Sequence, residues 1–118
     1  ADEALVQVAY AIGVANPVGL YVETYGKSNV NMSDGEIAAK LNEIFDMRPA
    51  YIVKRFGLKN PVFEETAAYG HMGRDPYTKK VQFVEGNNGS EKIVEQEVEF
   101  FAWEKLDYVD KIKAAFGL

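Results

Sequence analysis

Histidine occurs once in the sequence, as His71, and cysteine does not occur. A dyad or a metal site built on imidazoles and thiolates would therefore need groups from a second polypeptide. A solitary imidazole beside glycine and arginine reads first as a hydrogen-bonded structural group and only second as a general base. His71 sits in Gly70-His71-Met72-Gly73-Arg74. Backbone amides of a glycine-flanked turn can cradle a phosphate. The strand–loop–helix setting and the lysine of a P-loop are missing here, so a plain turn is expected. Glu64 and Glu65 are adjacent carboxylates, but neighbours on a helix point in different directions and do not share a substrate. Lys54, Arg55 and Lys59 form a basic cluster placed to complement a helix C-terminus. Tyr10, Tyr21 and Tyr25 could wall a ring-shaped ligand. On alternating strands they are expected in a core or an interface instead.

The elements that must position these groups are read from periodicity. Val6, Val8, Tyr10 and Ile12 alternate with Gln7, Ala9 and Ala11, which predicts a strand with a large-residue face and a small-residue face. Asn16-Pro17 interrupts it. Val18, Leu20 and Val22 alternate with Tyr21, Glu23 and Tyr25, a second strand expected to pair antiparallel with the first. Residues 26–31 are a polar loop. Ser33-Asp34-Gly35-Glu36 has the form of a capping box, and Ile37, Leu41, Ile44 and Phe45 make one apolar stripe. The spacing predicts a helix over 33–45. Pro49 suits the first turn of a second helix, with Tyr51, Ile52 and Phe56 on its inner side and Gly57 just past its end. Residues 63–69 lean helical. Residues 79–100 predict a polar hairpin turning at Gly86-Asn87-Asn88-Gly89. Asp107 is placed to cap a last helix with Val109, Ile112 and Phe116 inward, anchored by Phe100, Phe101 and Trp103. Paired strands with amphipathic helices between them imply an α+β fold, a two-layer domain with an antiparallel sheet and its helices on one face.

Composition bounds the function. At roughly 100–200 residues per domain, 118 residues make one domain. A hydrophobic share of 47% with 26% charged residues excludes a disordered or fibrous protein. The net charge of −5 argues against a nucleic-acid surface, which must neutralise phosphates. No apolar run reaches the roughly 18 residues needed to span a bilayer. Residues 1–15 lack the basic start and apolar centre of a signal peptide, and the absence of cysteine fits a reducing compartment. Residues 81–118 hold eight acids and four lysines, whereas residues 1–80 hold ten acids and nine bases. The acidic stretch reads as a solvated face. A sequence that opens on Ala1 and is in a strand by Leu5 is expected to be a piece of something longer.

Several segments, taken in order, resemble a known family. Val8-Ala9-Tyr10-Ala11-Ile12-Gly13-Val14-Ala15 with Pro17 resembles the strand that opens the last part of the S-adenosylmethionine synthetases (methionine adenosyltransferases). Val22-Glu23-Thr24-Tyr25-Gly26 is similar to the next strand of that family. Phe45-Asp46-Met47-Arg48-Pro49 resembles its Phe-Asp-Leu-Arg-Pro. Glu65-Thr66-Ala67-Ala68-Tyr69-Gly70-His71-Met72-Gly73-Arg74 resembles its Thr-Ala-Ala-Tyr-Gly-His-Phe-Gly-Arg signature, with Met72 in place of phenylalanine. Trp103-Glu104-Lys105 matches its C-terminal Trp-Glu-Lys.

The resemblance implies that residues 1–118 are the C-terminal part of an enzyme joining ATP and L-methionine into S-adenosylmethionine. It implies release of phosphate and pyrophosphate, use of Mg²⁺ and K⁺, a homodimer or tetramer with sites between subunits, and a cytoplasmic location. The family's catalytic histidine, metal-binding carboxylates and phosphate-binding motifs lie upstream of the matched segment. Neither Gly-Lys-Asp-Pro nor Gly-Asp-Gln-Gly occurs here. The resemblance therefore assigns no catalytic and no metal-binding residue to these 118 positions, expects no bound cofactor in the isolated segment and predicts it inactive alone. It transfers one role: Ile12, whose counterpart borders the bound substrate near methionine, is implied to be substrate-binding. The competing reading of Ile12 is a core strand residue. No catalytic role is transferred to His71 or Arg74. Residues 76–101 are longer than the common form and are expected to be an inserted polar hairpin. The alternative, from a different class, is a free-standing non-catalytic interaction domain whose acidic hairpin binds a partner.

Overall fold

The computed structural model describes residues 1–118. Its elements run β1 (Leu5–Ala9), β2 (Gly19–Glu23), α1 (Asp34–Ile44), α2 (Pro49–Phe56), α3 (Phe63–Ala67), β3 (Tyr77–Glu85), β4 (Lys92–Phe100) and α4 (Val109–Phe116). A single 3-10 turn covers Ala102–Glu104. The composition is α+β, as the periodicities require. The strands form two separate antiparallel pairs, β1–β2 and β3–β4. The one domain expected from length divides into two compact units, Ala1–Ile52 with Asp107–Leu118, and Val53–Leu106.

In the first unit, β1 and β2 pair from Leu5↔Glu23 to Ala9↔Gly19. Cross-strand partners share a face, so Val6, Val8, Leu20 and Val22 lie together. Val22 is buried with Ile37 and Ala38 of α1, and Leu20, Leu41 and Phe116 pack against them. Within this unit the helices do cover one face of the sheet. The capping box is formed: Glu36 N donates to Ser33 Oγ at 3.3 Å, and Ser33 N donates to Glu36 Oε2 at 2.7 Å. Two polar ties reinforce the packing. Thr24, itself buried, gives Asp34 its hydroxyl at 2.5 Å and its backbone N–H at 3.1 Å, fixing the end of β2 to the start of α1. Lys40 Nζ donates to Ala115 O at 2.6 Å. The last helix starts at Val109 with Tyr108, one residue after Asp107, at its N-cap position and no capping bond from the Tyr108 side chain.

The second unit is built on the longer hairpin, registered Tyr77↔Phe100 through Glu85↔Lys92. Its core is Val62, Val98, Phe100 and Phe101, with Val81 and Trp103 against it. Phe100, Phe101 and Trp103, expected to anchor the last helix, thus close the hairpin's own root. Tyr77 stacks on Phe100 with ring centroids 5.2 Å apart, and Phe101 meets Trp103 edge-on at 5.7 Å. The helical lean of residues 63–69 resolves into the short α3. The hairpin is polar at its tip, residues 85–92, and just before it Val84 and Ile93 form an apolar cross-strand pair, 64% and 75% exposed.

Candidate functional site

The first strand stops three residues short of Ile12. Pairing ends at Ala9↔Gly19, and Val18 N donates to Ala9 O at 2.9 Å, which closes a loop over residues 10–18. Inside that loop Val14 N donates to Ala11 O at 3.2 Å, and Gly13 has φ +81°. A positive φ at the third position of a hydrogen-bonded four-residue turn is the type II signature, and glycine adopts it without strain. Ile12 occupies the second position of that turn and is fully exposed, at 106% of its reference area. The alternation in the sequence is continuous through Ile12, but the pairing partners run out before it. Ile12 is neither a strand residue nor a core residue.

The loop is held from outside by Tyr10, whose hydroxyl donates to Met47 O at 2.6 Å. Met47 lies in the stretch 45–49, where Arg48 folds back on Asp46 through Nε at 2.8 Å and through a close Nη2–Oδ2 contact. The hydrogen bond from Arg48 holds the Asp46 carboxyl below the usual carboxylate range. Asn16 and Pro17 from the loop, with residues 42–48, line an open hollow of about 460 Å³. The tyrosines do not form a wall. Tyr10 binds Met47, whereas Tyr21 donates to Glu23 Oε2 at 2.9 Å, an acceptor that raises the Tyr21 phenol.

The glycine-flanked segment is structural in every contact it makes. Trp103 Nε1 donates to His71 O at 2.7 Å, and Gly73 N donates to Glu104 Oε1 at 2.6 Å. Arg74 Nη1 donates to Ala68 O at 3.0 Å and Gly70 O at 3.3 Å, with its guanidinium 4.7 Å from the centre of the Phe101 ring. One amide that a phosphate would need is already taken by a carboxylate, and the arginine is spent on carbonyls. Trp103 and Glu104 are thereby explained as the clamp on residues 71–73, a link across more than thirty positions that no local spacing reveals. His71, Met72, Leu58, Phe63 and Trp103 border an apolar hollow of about 400 Å³. Glu64 and Glu65 do part ways, because Glu65 Oε1 accepts from Lys79 Nζ at 2.9 Å. That bond lowers the Glu65 carboxyl, and burial together with Glu65 raises the Tyr77 phenol. Lys54 and Arg55 fall in the last turn of α2, where the helix dipole favours them.

No group of three or more His, Cys, Asp or Glu residues gathers to hold a metal. The residues present do not compose a Mg²⁺ site. No helix is long and apolar enough to cross a membrane.

Residues 1–83 match the family model described as S-adenosylmethionine synthetase, C-terminal domain. The chain belongs to the S-adenosylmethionine synthetase family. It is 58% identical over all 118 residues to the S-adenosylmethionine synthase of Bacteroides thetaiotaomicron, and 61% identical over 118 to that of Porphyromonas gingivalis. The synthase of Flavobacterium johnsoniae is 59% identical over the same length. Each match covers 100% of the present sequence but only 27–28% of the relative, so the 118 residues span little more than a quarter of these synthases.

Proposed function

We propose that these 118 residues serve as the C-terminal domain of an enzyme that forms S-adenosylmethionine from ATP and L-methionine, releasing phosphate and pyrophosphate. The observation that carries the reading is the match of all 118 residues to synthases at about 60% identity. In this reading the methionine sulfur attacks the ribose C5′ of ATP and the triphosphate leaves whole. A leaving group of that charge needs several preorganised cations around it. Lys54, Arg55 and Lys59 alone do not supply them, so Mg²⁺, K⁺ and the phosphate-binding groups belong to the remainder of the enzyme, acting as a homodimer or tetramer in the cytoplasm.

Ile12 is the domain's contribution to the substrate site. Its support is physical as well as familial. A β-branched residue is stiff about χ1, and here it stands on a turn fixed by a hydrogen bond and by Gly13, with no packing duty of its own. Such a group is suited to form one wall of a pocket completed by other parts of the assembly. The second hairpin is an addition to the common fold. In support, the family model ends at residue 83, inside β3, whereas the Bacteroides synthase matches through residue 118.

The test is an assay of the full-length protein with ATP, methionine, Mg²⁺ and K⁺. Stoichiometric S-adenosylmethionine, phosphate and pyrophosphate are expected, and none from residues 1–118 alone. Absence of product from the full-length protein would overturn the reading, and product from residues 1–118 would overturn the division of labour.

A further inference from the structure

The tip of the second hairpin holds atoms arranged for chemistry on the polypeptide itself. Ser90 N donates to Asn87 O at 3.0 Å, closing a turn whose two central residues, Asn88 and Gly89, have φ +52° and +88°. Positive φ at both positions is the type I′ arrangement, which selects Asn-Gly. The same selection puts an amide group directly before a residue with no Cβ to shield its nitrogen. A Cβ built on Gly89 meets no atom within 4 Å, so no other part of the protein crowds that side of the turn. Gly89 N donates to Glu91 Oε2 at 3.1 Å, which holds a carboxylate against the proton that this nitrogen would have to lose.

We propose that Asn88 is a self-modification site. The Gly89 nitrogen attacks Cγ of Asn88, forming a new C–N bond. Glu91 accepts the proton leaving Gly89 N. The Cγ–Nδ2 bond of Asn88 breaks, and the amide nitrogen leaves as ammonia with a proton returned to it. Water then adds to either carbonyl of the five-membered imide, giving aspartate or isoaspartate. No oxidant or cofactor is involved. Asn87 is not competent in the same way. It is followed by Asn88, whose Cβ shields the attacking nitrogen.

The outcome is local and cumulative. A new carboxylate joins Glu85 and Glu91 at the tip, and an isoaspartyl link lengthens the backbone inside the turn closed by Ser90 N. The turn opens, while the root of the hairpin stays closed by the Tyr77–Phe100 stack. Synthase activity is not expected to change with it.

The experiment incubates purified full-length protein at neutral pH beside a free peptide of residues 84–93. Mass spectrometry reads conversion, and enzymatic methylation of isoaspartate confirms it. Asn88 is expected to gain the mass of an amide-to-acid exchange at least as fast in the folded protein as in the peptide, with Asn87 unchanged. Glu91→Gln, which leaves the turn residues in place, is expected to slow conversion several-fold. Gly89→Ala is expected to slow it in the free peptide as well as in the protein, so that the shielding effect is read apart from any change of fold. A folded-state rate well below that of the peptide, or equal conversion at Asn87, overturns the proposal. An unchanged rate in Glu91→Gln removes Glu91 as proton acceptor.

Discussion

β1–β2 and β3–β4 are both antiparallel pairs, but their strands are five and nine residues long and are supported differently. The short pair lays Val22 and Leu20 under Ile37, Ala38 and Phe116, and beyond its last rung Ile12 is turned out to solvent. The long pair packs only its root, with Phe100, Phe101 and Val98 buried, and then runs on as a ribbon laced by Lys80–Glu95 and Glu85–Lys92 contacts at 3.9 and 4.0 Å. Exposed ion pairs of that kind contribute about 0–1 kcal/mol each, so the root must supply the stability. The difference separates two jobs. The first hairpin is a mount that holds a turn outward, and the second is a plug that closes its own unit.

The largest break in that contrast is expected at Phe101, which is 0% exposed and contacts Tyr77, Trp103 and Arg74. Phe101→Ala should cost about 3–5 kcal/mol, the usual range for an aromatic core truncation. Hydrogen exchange should show the loss concentrated in Val53–Leu106, with β1–β2 amides retaining protection. Equal loss in both units would mean that the root is not a separate plug.

Ser33→Ala removes the cap of α1 and should cost about 1 kcal/mol by chemical denaturation. The protection lost should be that of α1 and β2, since the Thr24–Asp34 tie sits at the same helix start.

Acid should weaken both units. Glu36, Asp46 and Glu65 have carboxyls lowered in the folded state, chiefly by hydrogen bonds from Ser33, Arg48 and Lys79 respectively. Above the unfolded carboxylate value of about 4 their contribution is complete, and it is lost as pH falls through the lower folded values. Glu65→Gln should flatten that decline in the second unit only. A decline of unchanged steepness would show that the Glu65–Lys79 pair does not sense acid.

The smallest effect is expected at the ribbon's end. Replacing residues 84–93 by Gly-Asn joins Phe83 to Val94 through a two-residue turn and takes away the exposed Val84 and Ile93 with the polar tip. Stability should move by about 0.5 kcal/mol or less, and turnover of the full enzyme should stay within a few-fold. A cut reaching residues 80–99 is a different experiment, because it removes buried Val98.

Local chemistry made much of this legible. The capping box, Pro49 at the start of α2, and the Asn-Gly turn each act over a few residues, so their signals survive in sequence. Alternation located both hairpins but could not say where pairing stops, because Ile12 continues the pattern of Val6 and Val8 without a partner strand beside it. Tertiary ties were out of reach. Nothing in spacing links Tyr10 to Met47 or Trp103 to His71, and the placing of Phe100 and Phe101 depends on which unit claims them. The role proposed for Ile12 rests on resemblance, not on any local signal. What the structure adds is that, within residues 1–118, Ile12 lies outside both cores, so a change there does not disturb this segment's own packing.

That test is Ile12→Ala in the full-length protein, with the Michaelis constant for methionine, turnover and thermal unfolding measured on one preparation. A surface change away from packing typically moves stability by about 0.5 kcal/mol or less. The expected result is a nearly unchanged melting temperature together with a several-fold change in the methionine constant or in turnover. A clear loss of stability with unchanged kinetics per folded molecule would contradict a substrate-facing Ile12, and would return it to a purely structural part.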